Sequence, residues 1–218
     1  MSQSETENCK TKNGRAENLT DAVAALKRGE VIVYPTETLY GLGADALNGA
    51  AVEKVFQLKG REPGNPIPVL VADREMLGAL VAVIPPLAEK LMARFWPGPL
   101  TLVLPAGKNI SPALLNADGG IGVRISSEPV ATGLVRALGR PLTATSANPS
   151  GLTPARTVQQ AKNYFAGAID LFIDAGELTS RTGSTVVEIG TDTVRIIREG
   201  EIGKSELQRT LGESEAVR

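Results

Sequence analysis

Short apolar runs alternate with amphipathic stretches along most of the chain. The run Val31 to Tyr34 is continuous and largely β-branched, which is typical of a strand buried on both faces. Val69 to Ala72 and the segment IGVRI around Arg124 have the same character. Near the end, Ser184 to Ile189 and Val194 to Ile197 predict two paired strands, joined by a polar turn. The pattern predicts one α/β domain with a twisted, mixed β-sheet flanked by helices.

Helices are predicted between these strands from apolar residues three or four positions apart and from capping residues. One carries Val23 and Leu26 and ends at Gly29, a second ends at Gly60, a third is capped by Asp73, a fourth starts at Pro85-Pro86, a fifth runs from Pro129 to Leu138, and a sixth lies around Val158 to Phe165.

Both ends of the chain are polar. Residues 1–16 contain almost no apolar side chain and are predicted to be a disordered tail. Residues 17–203 contain the predicted strands and helices and form the predicted folded domain. Residues 204–218 are polar without a clear packing partner, so they are predicted to be a C-terminal tail.

The composition of the 218 residues limits the classes of function. A net charge of -1 argues against binding of nucleic acid through an overall positive charge, although a local basic groove is compatible with this value. The longest apolar run, Met76 to Ile84, is too short to span a bilayer, and no signal peptide opens the chain, so a cytoplasmic location is expected.

Two residue types are informative by their scarcity. The chain has no histidine, which excludes a histidine general base and a histidine-ligated metal. The single cysteine, Cys9, lies in the polar opening segment, which excludes a disulfide framework. Chemistry based on Lys, Arg, hydroxyls, amides and backbone groups suits the handling of anions.

The stretch YPTETLYGLGADA, residues 34–46, is the first candidate site. Its hydroxyls and glycines follow a buried strand, where α/β proteins place ligands, and they permit close approach to the backbone. The segment TATSANPSG repeats this design, with Thr145, Ser146 and Asn148 at the end of a strand. The alternative is that both are ordinary polar connections.

Three cations are further candidates. Lys59 and Arg61 stand where a helix ends and a Pro/Gly-rich loop begins, so they either complement the helix dipole or, with Asn65, form an anion-binding loop. Arg124 lies in a buried type of strand and needs a partner, either a protein carboxylate or a ligand. The sequence lacks a GxxxxGK[ST] phosphate-binding loop, and its carboxylates show no recognisable metal-ligand spacing.

Seven segments in register resemble one known family. These are YPTETLYGLGADA, Lys59-Gly60-Arg61, FWPGPLT, GVRI, Ser146-Ala147-Asn148, GSTVVE and IIREG. The chain resembles the YrdC-type threonylcarbamoyl-AMP synthase family, in its single-domain form, over about residues 17–203. The resemblance implies an α/β sheet around a deep, concave, positively lined cavity.

The implied reaction converts L-threonine, bicarbonate or CO2, and ATP into threonylcarbamoyl-AMP and pyrophosphate. Downstream threonylcarbamoyl-transferase proteins would then modify tRNA. The resemblance assigns catalysis to Lys59, Arg61, Ser146 and Asn148, ATP binding to Arg61, Asn65, Ser146 and Arg198, and L-threonine binding to Thr36, Arg124 and Ser184. Mg2+ is expected with the ATP phosphates rather than on dedicated protein ligands.

Some positions depart from the family pattern. Leu70 stands where many relatives have a histidine near the threonine, and Gly120 and Pro154 replace hydroxyl residues near the nucleotide. Two other functions remain open: a carbamoyl-adenylate-handling enzyme of hydrogenase maturation, and a double-stranded RNA or tRNA-binding module. Weak RNA binding is also compatible with the synthase.

Overall fold

Mixed β-sheets with helices packed against them form the fold. The computed structural model describes residues 19–61, 64–212 and 216–217, so the predicted tail 1–16 lies outside the described residues. The helices are α1 (residues 19–27), α2 (Gly49–Lys59), α3 (Arg74–Leu80), α4 (Pro86–Phe95), α5 (Pro129–Leu138), α6 (Val158–Phe165) and α7 (Lys204–Leu211), with a 3-10 turn at Pro112–Leu114. The strands are β1 (Ile32–Tyr34), β2 (Gly41–Gly43), β3 (Val69–Leu70), β4 (Leu100–Pro105), β5 (Gly120–Arg124), β6 (Leu142–Thr143), β7 (Thr145–Ser146), β8 (Thr185–Ile189), β9 (Thr193–Arg198) and β10 (Ala216–Val217).

The strands form two sheets. Within the described part of the chain, the larger sheet has seven strands in the order β10-β9-β8-β4-β5-β3-β6. It is mixed, because β4 pairs in parallel with β8 and antiparallel with β5. The smaller sheet joins β1, β2 and β7 in antiparallel pairs. A single α/β domain with a mixed sheet is therefore confirmed.

Capping residues set several helix ends where the sequence predicts them. The side chain of Asp73 accepts a hydrogen bond from the backbone N–H of Met76 at the start of α3. Gly139 follows α5 with φ 69°, a left-handed conformation that favours glycine. These local signals explain why the predicted bounds of α5 and α6 agree with the structure.

Apolar side chains pack on the sheets in two clusters. One cluster includes the apolar faces of α2, α4 and α6 together with the central strands β4 and β5. The other is built from α1, α5 and β1. The fully buried strand β1 has a continuous apolar sequence because both of its faces are covered, and β5 is equally buried but ends in the charged Arg124.

The C-terminal segment corrects one prediction. Residues 204–218 were expected to be a polar tail, but α7 is a helix whose Leu207 and Leu211 are buried in the main apolar cluster, and it contacts α4. Two leucines four positions apart give a narrow apolar stripe in a polar segment. The sequence pattern does not reveal its partner, which lies more than a hundred residues earlier in the chain. None of the described helices is long and apolar enough to cross a membrane.

The packing of α7 yields a stability prediction. Leu207→Ala should lower the free energy of unfolding by about 2–5 kcal/mol, because it removes a fully buried side chain and leaves a cavity. Urea denaturation would measure the change. Gln208→Ala, on the exposed side of the same helix, is the matched control and should leave stability nearly unchanged. Equal effects of the two substitutions would contradict the packing of α7.

Candidate active site

A cavity of about 670 Å³ opens between the two sheets and the loops that join them. It is lined by seven of the nine residues that the resemblance assigns to the site: Thr36, Arg61, Asn65, Arg124, Ser146, Ser184 and Arg198. The other two, Lys59 and Asn148, are buried beside the cavity lining. Residues as far apart in the chain as Thr36 and Arg198 are therefore brought to one place.

Tyr34 supports the cavity next to the strand β2. Its ring is fully buried, and its hydroxyl donates a hydrogen bond of 2.9 Å to the carbonyl oxygen of Thr143. A Cβ at Gly43 would lie 2.9 Å from this ring, and one at Gly41 would lie 3.1 Å from it. The two glycines of the YGLG segment are thus needed to let β2 pack on Tyr34, a structural reason that the sequence alone did not give.

Thr36 lies in the cavity wall, but its hydroxyl is used within its own turn. The Oγ1 atom donates to the carbonyl oxygen of Leu39 at 2.7 Å and accepts from the backbone N–H groups of Thr38 and Leu39. This arrangement fixes the loop that follows β1. The role of Thr36 toward L-threonine stays a prediction.

Lys59 fixes the turn that follows β7. Its Nζ donates to the carbonyl oxygens of Ser146 and Asn148, at 2.7 and 2.8 Å. The Asn148 side chain in turn donates to the carbonyl oxygens of Pro149 and Leu152. Burial, together with the positive charge of Arg61, lowers the pKa of Lys59 to about 8.

Arg61 spans the loop after α2. Its guanidinium donates to the carbonyl oxygens of Asn65 and Pro66, at 2.8 and 3.1 Å. A longer hydrogen bond of 3.4 Å reaches the Thr145 hydroxyl in β7. Lys59 lies in the last turn of α2, where its charge complements the helix dipole, but the described side-chain hydrogen bonds of Lys59 and Arg61 go to neighbouring turns.

Arg124 has a protein carboxylate as its partner. Its Nη1 lies 3.2 Å from Oε1 of Glu37, and both side chains are almost inaccessible, at 6% and 13% exposure. Glu37 is held in place by a short hydrogen bond from the Ser126 hydroxyl. The Nε of Arg124 is buried without a hydrogen-bond partner among the described residues. Glu37 thus offsets the charge of Arg124, while the guanidinium still lines the cavity.

Arg198 and Ser184 are bonded directly. Nη2 of Arg198 donates to the Ser184 carbonyl oxygen at 2.8 Å and to its hydroxyl at 3.3 Å. The backbone around them is close packed, since a Cβ at Gly200 would lie 2.2 Å from the carbonyl oxygen of Gly183. This junction ties the end of β9 to the start of β8.

Positive charge dominates the cavity. Burial lowers the pKa of Arg61 and of Arg198, and the charge of a neighbouring arginine lowers each further: Arg198 acts on Arg61, and Arg124 acts on Arg198. Cations held this close repel one another, and a bound anion would relieve the repulsion. Among the residues that the structure describes, no three His, Cys, Asp or Glu side chains form a group suited to a metal ion. The donors that line the cavity fit polyanions.

Sequence reasoning missed several residues around the cavity. Arg195 and Ile197 line it from β9, and Asn116 lines it from the loop before β5. The signal for Arg195 and Ile197 was the alternation along β9, where the buried Val194 precedes the exposed Arg195. Leu70 is fully buried and is absent from the cavity lining, whereas Gly120 and Pro154 are part of it.

Comparison with known proteins places the chain in a family. The Sua5/YciO/YrdC family model, described as "Telomere recombination", matches residues 24–200. The chain belongs to this family. It is 40% identical over 172 residues to a threonylcarbamoyl-AMP synthase of Thiobacillus denitrificans, covering 78% of this chain and 90% of that protein.

Two solved structures agree with this assignment. The chain is similar to P. abyssi Sua5 complexed with L-threonine, with a TM-score of 0.87 and 34% identity, covering 92% of this chain and 58% of that chain. It is also similar to E. coli YciO, with a TM-score of 0.79 and 29% identity, covering 87% of this chain and 92% of that chain. The expected family and the YrdC-like fold are thus confirmed.

The lowered pKa of Lys59 predicts a pH-dependent contribution to stability. Its pKa falls from 10.5 in the unfolded chain to about 8 in the native protein. Between pH 8 and pH 10 the unfolded state therefore binds more protons, and the free energy of unfolding rises with pH. Relative to Lys59→Met, wild-type protein should gain about 2 kcal/mol over this range.

Urea denaturation of both proteins at pH 8 and pH 10 would measure this difference. Lys27→Met, which replaces an exposed lysine of α1, is the control and should retain the wild-type pH dependence. An unchanged pH dependence in Lys59→Met would show that Lys59 titrates normally.

Proposed function

We propose that this protein is an L-threonylcarbamoyladenylate synthase, which converts L-threonine, bicarbonate or CO2, and ATP into threonylcarbamoyl-AMP and pyrophosphate. The observation that carries the proposal is the cavity itself. Arg61, Arg124 and Arg198 line it together with hydroxyl groups, and its volume suits small ligands. The family membership and the identity to threonylcarbamoyl-AMP synthases support it.

The chemistry requires little acid–base catalysis from the protein. The amine of threonine adds to CO2 and loses a proton, which gives a carbamate. A carbamate oxygen then attacks the α-phosphorus of ATP, and the bond to the bridging oxygen of pyrophosphate breaks. Two anions must be brought together, so positioning and charge stabilisation are the main demands on the site. A cavity lined by arginines and hydroxyls meets both demands without a histidine.

The phosphate side of the proposed site lies around Arg61. Arg61 and Arg198 would bind the phosphates of ATP, with Asn65 and Ser146, which also line the cavity, as neutral donors. Lys59 and Asn148 would act from behind the cavity lining, because their side chains donate hydrogen bonds to backbone carbonyl oxygens of residues 146–152. Their proposed catalytic contribution is to hold Ser146 at the reacting groups.

The amino-acid side of the proposed site lies around Arg124. Its guanidinium would bind the carboxylate of L-threonine, and Glu37 would keep it in position. Ser184 and Thr36, which also line the cavity, would complete the binding site for the amino acid. Mg2+ would be held by the phosphates of ATP and by water, since the cavity offers cations rather than clustered carboxylates.

The product of this reaction would be consumed by proteins that transfer the threonylcarbamoyl group to tRNA. A cytoplasmic location and weak RNA binding stay predictions. The carbamoyl-adenylate reaction of hydrogenase maturation is the other enzymatic candidate, and the first experiment distinguishes it from the synthase.

That first experiment measures pyrophosphate release from ATP and bicarbonate with L-threonine, L-serine or no amino acid. A further mixture contains ATP and carbamoyl phosphate without an amino acid. Release that depends on both bicarbonate and L-threonine is expected. Release that requires carbamoyl phosphate and no amino acid would establish the hydrogenase-type reaction instead. Folded protein that releases no pyrophosphate in any mixture would contradict an adenylate-forming function and favour the RNA-binding alternative.

Arg61→Ala should lower kcat/KM for pyrophosphate release by roughly 10²-fold or more, because it removes a cation that stabilises charge on the phosphates. Steady-state kinetics with varied ATP would measure the loss. Arg136→Ala, which removes an exposed arginine on α5, is the matched control and should retain full activity. Wild-type turnover by Arg61→Ala would rule out its catalytic role.

Arg124→Ala should act mainly on the amino acid and raise the KM for L-threonine, since the variant lacks the guanidinium proposed to bind the carboxylate. The KM for ATP should change little. Kinetics with each substrate varied in turn would separate the two effects. An increase confined to the KM for ATP would move Arg124 to the nucleotide side of the cavity.

A further inference from the structure

Thr101 lies directly behind Ser184. It belongs to β4, is 1% exposed and does not line the cavity. Its Oγ1 lies 2.8 Å from Oγ of Ser184, which does line the cavity. The Ser184 hydroxyl therefore lies between the Thr101 hydroxyl and the guanidinium of Arg198.

The direction of these hydrogen bonds follows from the donors available. A hydroxyl has one proton to donate and two lone pairs that accept, whereas a guanidinium only donates. Arg198 thus uses one lone pair of Ser184 Oγ. Among the described residues, the Oγ1 of Thr101 has no hydrogen-bond partner other than Ser184 Oγ. If Ser184 donated to Thr101, the buried Thr101 proton would lack an acceptor, which is unfavourable.

Thr101 therefore donates to Ser184, and both lone pairs of Ser184 Oγ are occupied. Its own proton has no acceptor among the described residues and is left for a ligand in the cavity. In this state Ser184 donates a hydrogen bond to the ligand but does not accept one. Such a group binds a carboxylate oxygen and offers nothing to an ammonium group.

We propose that Thr101 is a positioning residue that makes Ser184 a dedicated hydrogen-bond donor to the carboxylate of the amino-acid substrate. The proposal rests on the proposed function and deepens it. Thr101 itself would touch no substrate. Through Ser184 it would determine which end of the amino acid, the carboxylate or the ammonium group, binds at that position. Ser184 and Arg124 would then bind the same carboxylate from two sides.

The test compares Thr101→Val with Thr101→Ser by titration calorimetry of L-threonine binding. Valine keeps the β-branched shape and removes the hydroxyl, whereas serine keeps the hydroxyl. Thr101→Val should weaken L-threonine binding by about three- to tenfold, in the range expected for one oriented hydrogen bond. Thr101→Ser should bind like wild type, and ATP binding should be unchanged in both variants.

A double-mutant cycle separates positioning from packing. In a Ser184→Ala background, Thr101→Val should cause no further loss of affinity for L-threonine, because the hydroxyl that it orients is gone. Melting temperatures of all variants show whether each is folded.

Three results would overturn the proposal: wild-type affinity for L-threonine in Thr101→Val, additive losses in the cycle, or a loss confined to ATP. Binding is measured without turnover, so a protein that binds L-threonine but releases no pyrophosphate would contradict the proposed reaction while leaving this test intact. Wild-type protein that does not bind L-threonine would overturn both.

Discussion

The structure depends on holding several cations close together beside one cavity. Arg61, Arg198 and Arg124 repel one another, and burial adds a desolvation cost that lowers the pKa of Arg61 and Arg198. The fold tolerates this because backbone carbonyl oxygens accept most of their hydrogen bonds and Glu37 offsets Arg124. The repulsion that remains favours the binding of anions, so an arrangement that is unfavourable for stability provides the driving force for function.

Several residues that line the cavity are held in position by side chains outside the lining. Lys59 holds the turn that presents Ser146, and Glu37 holds Arg124. Thr101 holds Ser184, which Arg198 also contacts. Ser146, Arg124 and Ser184 are thus each fixed by a partner from a distant part of the chain. Such preorganisation reduces the rearrangement needed when two anionic substrates are brought together.

The sheets explain how these partners meet. Parallel pairing of β4 with β8 and antiparallel pairing of β4 with β5 bring together Thr101 in β4, Arg124 in β5 and Ser184, which directly precedes β8. The β1–β2–β7 sheet brings the turn of Thr36 and the turn of Ser146 to the same cavity. Helix α7 adds Leu207 and Leu211 to the main apolar cluster and contacts α4, so this C-terminal helix is part of the folded core.

The sequence by itself determined the α/β class, the helix ends at Asp73 and Gly139, and the set of polar residues at strand ends, because caps and periodicity are local signals. With the motifs in register, it also indicated the family. Only the tertiary structure decided that Glu37 pairs with Arg124, that Lys59 acts on backbone carbonyls, that α7 is packed, and that Thr101 contacts Ser184. The Glu37–Arg124 and Thr101–Ser184 contacts, and the hydrogen bond from Lys59 to the Ser146 carbonyl oxygen, join residues more than 80 positions apart. No local pattern encodes such pairs, since they arise from strand order and from the direction in which each side chain leaves the sheet.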